Sequence, residues 1–212
     1  MNFRKRFLPH LEFPNSTYFV TFRLAGSVPQ SVLRKWQDEK QQILQAATIQ
    51  HRELTDHEQN RLKYLLSSKI EQYLDQSYGE CWLKKSQIAS IVVNALKFFD
   101  QKRYKLHAWC VMPNHIHVVF TVISKGSELD SDLIPILHSW KSFTAHEANR
   151  VLKRSGAFWQ REYYDHLIRS DEEFGFYVKY TLENPLMANL CCEWQGWEWS
   201  GCSDRIREQM RG

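Results

Sequence analysis

The amino-acid sequence predicts an α+β fold in which helices pack on an antiparallel sheet of about four strands. Four segments have the alternation and residue types of strands, namely residues 16–24, 104–111, 115–122 and 158–168. Only the tripeptide 112–114 separates the middle two, so we expect them to be neighbouring antiparallel strands joined by a short turn. Segments with helical periodicity fill the other intervals, and two adjacent strands flanked by β-α units are typical of this architecture.

The segment after the first strand predicts an inserted helical hairpin, from about residue 30 to residue 76. Its first half repeats apolar residues near helical spacing, at Leu33, Trp36, Ile43 and Ala47. A second helix is expected to begin near Thr55. Glu58 stands three residues later, and the two side chains have the spacing of a capping box.

Three further helices are predicted after the insertion. Ser86 can cap the first of them. A polar loop at residues 125–132 precedes a long helix ended by Gly156, with an inward face at Leu133, Leu137, Trp140, Phe143 and Thr144. Ser170 and Glu173 form a second capping box and open the last helix, which Pro185 is expected to limit.

Length and composition favour a single domain over residues 1–212. The chain is 43% apolar and 25% charged, in the ordinary globular range, and its net charge of +4 is compatible with a phosphate-bearing partner. Five cysteines without a C-x-x-C pair argue against a zinc ribbon and for a reducing compartment. No apolar run approaches membrane-spanning length, so we expect no membrane association and a cytoplasmic, nucleoid-associated location.

The C-terminal segment, about residues 191–212, is rich in tryptophan and ends in basic residues. Closely spaced tryptophans can stack on unpaired bases. They can also cover the edge of a hydrophobic core. We favour the second interpretation for Trp194, Trp197 and Trp199.

Two histidines in the third predicted strand are the first candidates for chemistry. In a strand, His115 and His117 point to one face while Ile116 and Val118 point to the other. Two neutral imidazoles side by side suit a divalent cation. The motif alone is weak, and two surface histidines on an amphipathic strand are the alternative interpretation.

Tyr180 and Asn184 on the last predicted helix are the second candidates. Positions four residues apart share a helix face, so both side chains can address one point, and Asn184 offers an oxygen to a metal. Alternatively, Tyr180 is a packing residue and Asn184 a helix-end residue. Tyr177, one turn earlier, is the competing tyrosine.

Taken together, the two pairs of residues suit cleavage of a phosphodiester by a tyrosine. A cation held by two imidazoles and an amide oxygen can polarise the phosphodiester and stabilise charge that develops on the phosphate. A tyrosine with an ordinary pKa of about 10 is a poor nucleophile and needs such help. After cleavage the tyrosine would hold one DNA end covalently, which keeps the energy of the phosphodiester bond for rejoining.

Five segments, in this order along the chain, resemble those of a known family. They are residues 18–23 (YFVTFR), 108–120 (AWCVMPNHIHVVF), 141–144 (KSFT) with Asn149, 158–169 (FWQREYYDHLIR) and 180–185 (YTLENP). Together they resemble the HUH single-tyrosine transposases, and more closely the REP-associated tyrosine transposases. The similarity extends from Thr17 to about Leu190 and is weakest at residues 34–75. Thr181 stands where this family usually has isoleucine.

The resemblance implies a ferredoxin-like core, a Mg²⁺ or Mn²⁺ site and cleavage of single-stranded DNA beside REP-like hairpins through a 5′-phosphotyrosine intermediate. It makes Tyr180 the nucleophile and His115, His117 and Asn184 the metal ligands. The expected partner is single-stranded or hairpin DNA, bound by a monomer or a homodimer.

The resemblance also predicts which basic side chains contact DNA, namely Lys141, Arg150, Lys153, Arg154, Arg161 and Arg169. A solvated basic face is the alternative for each of them. Asp165 and His166 could support the metal ligands, or could equally form local hydrogen bonds.

Three other functions fit parts of the pattern. A catalytically silent hairpin-DNA-binding protein, derived from a transposase, could keep the same four core residues. A nucleotide hydrolase with a histidine nucleophile would resemble His-x-His-x-His, but Val119 occupies the third position. A metal-binding module without a nucleic acid partner would not account for the ordered motifs. Only the transposase interpretation requires a covalent protein-DNA adduct through Tyr180.

Overall fold

The strands form one antiparallel sheet in the computed structural model, which describes residues 15–66, 68–123 and 133–210. They are β1 (Thr17–Arg23), β2 (Tyr104–Val111), β3 (His115–Val122), β4 (Tyr164–Ile168) and β5 (Ser200–Cys202). Their order is β4-β1-β3-β2-β5, and each neighbouring pair is antiparallel. The predicted α+β class is confirmed, with the first four strands arranged as in a ferredoxin-like sheet and β5 added at the edge.

Helices occupy the segments between the strands. They are α1 (Gln30–Ile49), α2 (Asp56–Leu66), α3 (Ser68–Asp75), α4 (Ser86–Phe98), α5 (Leu133–Leu152), α6 (Asp171–Met187) and α7 (Asp204–Gln209). The first three lie within the segment predicted as a helical insertion. None of the described helices is long and apolar enough to cross a membrane.

The two faces of the sheet carry separate cores, because successive side chains of a strand point to opposite faces. On one face, Val20, Val118 and Phe120 pack with residues of α4 and α5. On the other face, Phe19 and Val119 pack with residues of α6, β5 and α7. The strand β3 is therefore buried on both sides, which explains its nearly continuous apolar sequence.

Hydrogen bonds test the predicted helix starts. The Thr55 capping box is confirmed, because the Glu58 N–H donates to Thr55 Oγ1 at 3.3 Å and the Thr55 N–H donates to Glu58 Oε2 at 2.9 Å. The Glu173 N–H donates to Ser170 Oγ at 3.1 Å, so Ser170 caps α6. Its box is only half formed, since the Glu173 carboxylate accepts from the Arg169 N–H instead. The prediction for Ser86 was wrong: Lys85 is the N-cap of α4 and provides no side-chain bond.

Three predicted helix details also need correction. The helix α5 ends at Leu152, four residues before Gly156. Lys153, the residue directly after the helix, adopts a positive φ of 52°. Phe143 is 54% exposed, because the buried stripe of α5 runs through Ile136, Trp140, Thr144 and Ala148 and leaves position 143 at its edge. Pro185 lies inside the last turn of α6, which continues to Met187.

The fourth strand is shorter than predicted. Only Tyr164–Ile168 pairs continuously with β1, and the upstream part contributes an isolated bridge between Leu24 and Trp159. Between them, the carbonyls of Gln160 and Arg161 accept hydrogen bonds from Lys141 Nζ, at 2.8 and 2.9 Å, instead of joining the sheet. The polar loop predicted at residues 125–132 lies outside the described residues.

The tryptophan-rich tail packs against the protein, as we favoured. Trp197 Nε1 donates to the Val111 carbonyl at 3.0 Å, and the Trp199 carbonyl accepts from the Val111 N–H at 3.1 Å. These bonds lead into β5, which pairs with β2 at residues Ala108–Cys110. The tail therefore covers an edge that β2 would otherwise leave open.

Candidate active site

Strand register places both histidines of β3 on the face covered by α6. His117 pairs with Thr21 of β1 and His115 pairs with Arg23, at the end of the strand. Both rings are 0% exposed. The alternative of two surface histidines is therefore wrong.

Hydrogen bonds to the outer nitrogens orient the two rings. Asn114 Nδ2 donates to the Tyr78 carbonyl, which leaves Asn114 Oδ1 facing His115 Nδ1 at 2.7 Å. An amide oxygen can only accept, so His115 carries its proton on Nδ1 and keeps a lone pair on Nε2. His117 Nδ1 lies 2.8 Å from the Thr21 hydroxyl. When Thr21 accepts this bond, His117 Nε2 also keeps its lone pair.

The two Nε2 atoms meet at 2.9 Å. This contact can be a hydrogen bond when His117 carries its proton on Nε2. It also fits a shared cation, since two nitrogens bound at about 2.1 Å and at right angles are about 3 Å apart. Burial lowers the pKa of His115 to about 3 and that of His117 well below its usual range, so both rings are neutral near pH 7.

Helix α6 brings Tyr180 and Asn184 to this point. The Tyr180 ring lies edge-on to His117, with 5.3 Å between ring centroids. One turn later, Asn184 is 2% exposed and a hydrogen bond links its side chain to Tyr180. Its Oδ1 atom is buried and accepts no hydrogen bond within the described part of the chain. An orphaned amide oxygen on the residue bonded to Tyr180, whose ring contacts His117, suits a divalent cation.

The competing tyrosine faces a different set of residues. Tyr177 stacks on Phe19 with 4.6 Å between centroids, and its ring lies 4.8 Å from that of His166. A hydrogen bond joins its hydroxyl to Tyr164. His166 also contacts Glu173, at 3.4 Å, so the ring that we considered as a support for the metal ligands forms local contacts. The groups that contact the Nδ1 atoms of His115 and His117 are Asn114 and Thr21.

Two acidic residues of α3 also reach the site, and the sequence analysis missed both. The Tyr180 hydroxyl is hydrogen-bonded to the Glu71 carboxylate, and Asp75 Oδ1 lies 3.7 Å from His115 Nε2. Burial raises the pKa of Glu71 to about 7 and that of Asp75 to about 6. The spacing of four residues between Glu71 and Asp75 can be seen in the sequence. Two acidic residues at this spacing are equally typical of a solvated helix face, so the spacing alone does not indicate a site.

Burial and these carboxylates together disfavour the Tyr180 phenolate. The pKa of Tyr180 is raised above its usual value first by burial and then by the charges of Glu71 and Asp75. Within residues 15–66, 68–123 and 133–210, no three His, Cys, Asp or Glu side chains form a complete cation site by themselves. A cation would therefore depend on the Asn184 amide or on a closer approach of Asp75.

Arg23 is a further charged group that the sequence analysis did not assign. It is paired in register with His115, and its guanidinium donates to Ser27 Oγ at 3.2 Å. Burial lowers its pKa to about 10, which leaves it charged near pH 7. A partly desolvated guanidinium at the histidine end of the sheet is suited to a phosphate.

The basic residues predicted to contact DNA do not gather at this site. Lys141 and Arg150 lie on α5, which covers the opposite face of the sheet. Lys141 is bonded to backbone carbonyls, and Arg150 forms an ion pair with Glu147 at 2.6 Å. Lys153 is exposed just beyond α5, and the Arg154 guanidinium lies over the Trp82 ring.

The remaining two predicted DNA contacts flank β4. Arg161 precedes this strand and Arg169 follows it, and both are exposed. Gln160, next to Arg161, donates its backbone N–H to the Arg23 carbonyl. Arg161 is therefore at the end of the sheet that carries His115, whereas Arg169 is at the other end.

Comparisons with known proteins find similar transposases. A family model described as IS200-like transposase matches residues 81–180, which include His115, His117 and Tyr180. A Haemophilus influenzae protein assigned to the REP-associated tyrosine transposases is 27% identical over 111 residues, covering 49% of this chain and 61% of the relative. The REP-associated tyrosine transposase of Escherichia coli is 25% identical over 105 residues, covering 50% and 58%. The chain thus matches less than two thirds of each relative.

The fold also matches a solved structure of a REP-associated tyrosine transposase bound to a REP hairpin. The TM-score is 0.53 at 16% identity, and the match covers 91% of this chain and 80% of the other. At this identity the match supports the fold. The sequence matches agree with the resemblance found in the sequence: the chain is similar to the REP-associated tyrosine transposases, and its residues 81–180 match the IS200-like transposase family.

Proposed function

We propose that this chain is a metal-dependent endonuclease and transposase that cleaves single-stranded DNA next to hairpins and rejoins strands through Tyr180. One observation carries the proposal: the Tyr180 ring lies against His117, whose Nε2 atom meets that of His115 at 2.9 Å. The related transposases support the class of reaction, and the REP hairpin bound by the structural neighbour supports the class of substrate.

The residues that would hold the cation are His115, His117 and Asn184. They offer two neutral imidazole nitrogens and an orphaned amide oxygen. The cation would be Mg²⁺ or Mn²⁺, and when bound it polarises the scissile phosphate and stabilises the charge that develops there. The Arg23 guanidinium adds positive charge at the same end of the sheet.

In the proposed cleavage step, the phenolic oxygen of Tyr180 forms a bond to phosphorus while the P–O3′ bond breaks. The phenolic proton passes to the Glu71 carboxylate, which is hydrogen-bonded to the hydroxyl. The departing 3′ oxygen takes a proton from solvent, leaving a free 3′-OH and a 5′-phosphotyrosine. Because burial raises the pKa of Glu71 to about 7, this carboxylate is a suitable proton acceptor near neutral pH. The reverse reaction rejoins the strands.

Covalent adduct formation tests the proposed nucleophile. The protein is incubated with Mn²⁺ and end-labelled single-stranded DNA that carries a REP-like hairpin and its flanks, and the products are separated on a denaturing gel. We expect an adduct from the wild type and from the matched control Tyr177→Phe. We expect none from Tyr180→Phe or in the presence of a chelator. An adduct that persists in Tyr180→Phe and disappears in Tyr177→Phe would assign the nucleophile to Tyr177.

The same assay separates cleavage from binding. Hairpin DNA that the wild type retards on a native gel but never cuts would favour the silent DNA-binding protein. For the proton acceptor, we expect Glu71→Gln to bind the hairpin as the wild type does. Its adduct should form about 10²–10⁴-fold more slowly, which is the usual contribution of a general base. An unchanged rate would remove Glu71 from the mechanism.

A further inference from the structure

Asp75, the last residue of α3, places a carboxylate close to His115. Asp75 Oδ1 is buried and accepts no hydrogen bond from the described residues. It lies 3.7 Å from His115 Nε2, the same nitrogen that meets His117 Nε2 at 2.9 Å. The Nε2 atom of His115 therefore lies close both to the Asp75 carboxylate and to the His117 ring.

A salt bridge does not account for this convergence. The Asn114 amide fixes the proton of His115 on Nδ1, so the nitrogen that faces Asp75 has a lone pair and no hydrogen to donate. A buried carboxylate oxygen that faces the lone pair of His115 Nε2 is unfavourable by itself and becomes favourable when a cation lies between the two atoms.

The position of α3 is fixed by several contacts. Leu74 is 1% exposed, and the Tyr73 ring packs edge-on against Trp36 of α1, at 5.9 Å between centroids. Asn114, which orients His115, also donates to the Tyr78 carbonyl just after α3. Glu71, one turn before Asp75 on the same helix face, is hydrogen-bonded to Tyr180. The same face of α3 therefore brings both Glu71 and Asp75 to the site.

We propose that Asp75 is an oxygen ligand of the cation held by His115 and His117, so that the helical insertion completes the metal site. This inference rests on the proposed function, which supplies the cation. Neighbouring ligand atoms of one cation are about 3 Å apart. Asp75 Oδ1 therefore needs to move closer to His115 Nε2 by less than about 1 Å. A carboxylate ligand in addition to the amide oxygen of Asn184 would favour Mg²⁺ or Mn²⁺, which prefer oxygen ligands.

Mn²⁺ binding without DNA tests this inference. The full chain is titrated with Mn²⁺, and free Mn²⁺ is measured by its electron paramagnetic resonance signal. We expect Asp75→Asn and Asp75→Ala to weaken Mn²⁺ binding at least about tenfold, the lower limit seen when even an outer-shell partner is removed. The matched control Asp38→Asn removes an exposed carboxylate from α1 of the same insertion and should bind as the wild type does. Thermal unfolding without metal verifies that each variant is folded.

The histidine variants separate this inference from the proposed function. If His115→Ala and His117→Ala bind Mn²⁺ as tightly as the wild type, the histidine site is wrong and the inference fails with it. If both lose Mn²⁺ while folded Asp75→Asn and Asp75→Ala keep the wild-type affinity, only the role of Asp75 is overturned. Loss of affinity in the histidine and Asp75 variants, with none in Asp38→Asn, supports both.

Discussion

At the scale of single residues, the proton on His117 decides whether the site can accept a cation. Its Nδ1 atom lies 2.8 Å from the Thr21 hydroxyl, and only a proton on Nδ1 leaves Nε2 free to bind a metal. Thr21→Val keeps the side-chain shape and removes the acceptor. We expect Mn²⁺ affinity to fall about 10–100-fold, as is typical when the partner of a ligating histidine is lost.

The control for Thr21 lies on the same strand and the same face. Thr17→Val removes a hydroxyl that is 2.7 Å from the Thr121 hydroxyl, far from His117 along β1. We expect this variant to bind Mn²⁺ normally. An equal loss of affinity in both variants would mean that the hydroxyls act through the stability of the sheet and not through His117.

Glu71 gives the metal-free protein a pH-dependent stability. Burial raises the pKa of Glu71 from an ordinary value of 4.5 to about 7 in the folded state, so between these values the folded state binds more protons than the unfolded state. The contribution of Glu71 to stability is therefore fully present below pH 4.5 and is lost as the pH rises through 7. Glu71→Gln replaces the carboxylate with an amide that does not ionise, so the variant does not lose this stability as the pH rises. With chelator present, we expect the variant to melt at a higher temperature than the wild type above pH 7.

The expected difference in free energy of unfolding is about 1–2 kcal/mol, after allowance for solvent screening, or roughly 2–8 °C in melting temperature. It should shrink as the pH falls towards and then below 4.5, where Glu71 becomes protonated in the unfolded state as well. Glu53→Gln, an exposed acid of the same insertion, serves as the control. A melting difference that does not change between pH 4.5 and 8 would show that Glu71 has no raised pKa.

At the scale of secondary-structure elements, the start of α6 holds the helix that carries Tyr180. Ser170 Oγ accepts a hydrogen bond from the Glu173 N–H at 3.1 Å. Ser170→Ala leaves that donor unpaired and should cost about 1 kcal/mol, or roughly 2–4 °C in melting temperature. Ser203→Ala is a matched control, because Ser203 is the N-cap of α7 but its side chain makes no capping bond. Equal melting shifts in the two variants would contradict a specific role for the Ser170 cap.

The same elements show how much the sequence could predict. The alternation of β3 placed His115 and His117 on one face, and helical spacing placed Tyr180 next to Asn184, because both patterns are properties of a single element. Periodicity does not say which neighbour a face meets. The carboxylates of Glu71 and Asp75 therefore had no distinguishing signal, although α3 turns them towards the histidines.

The basic residues of α5 show a second limit of the sequence, and their predicted contacts with DNA stay a prediction. Lys141 lies in a segment that resembles the family, and Arg150 lies on the same helix; the charge of both suggested DNA contacts. In the folded chain, α5 lies across the sheet from the histidines, and Lys141 Nζ binds two backbone carbonyls. A positive charge in a sequence does not show whether its partner is DNA or the protein itself.

At the scale of the whole molecule, the C-terminal tail closes the sheet and supports the face that carries the candidate site. Cys202 of β5 and Ile206 of α7 are buried in the same cluster as Val178 and Leu182 of α6. The tail can approach β2 closely because position 201 is glycine: a Cβ atom there would overlap the Trp109 indole. Packing of the tail therefore depends on one missing methyl group.

Adding that methyl group tests how far the tail supports the fold. Gly201→Ala should lower the free energy of unfolding by about 1–3 kcal/mol through overpacking, with a melting temperature lower by roughly 2–10 °C. Faster hydrogen exchange of the β5 amides would accompany it. Gly175→Ala adds the same group to α6 where nothing lies within 4 Å, and should instead stabilise the protein by about 0.5–1 kcal/mol. If Gly201→Ala melts like the wild type, β5 is not held against Trp109, and α6 depends on the rest of the sheet alone.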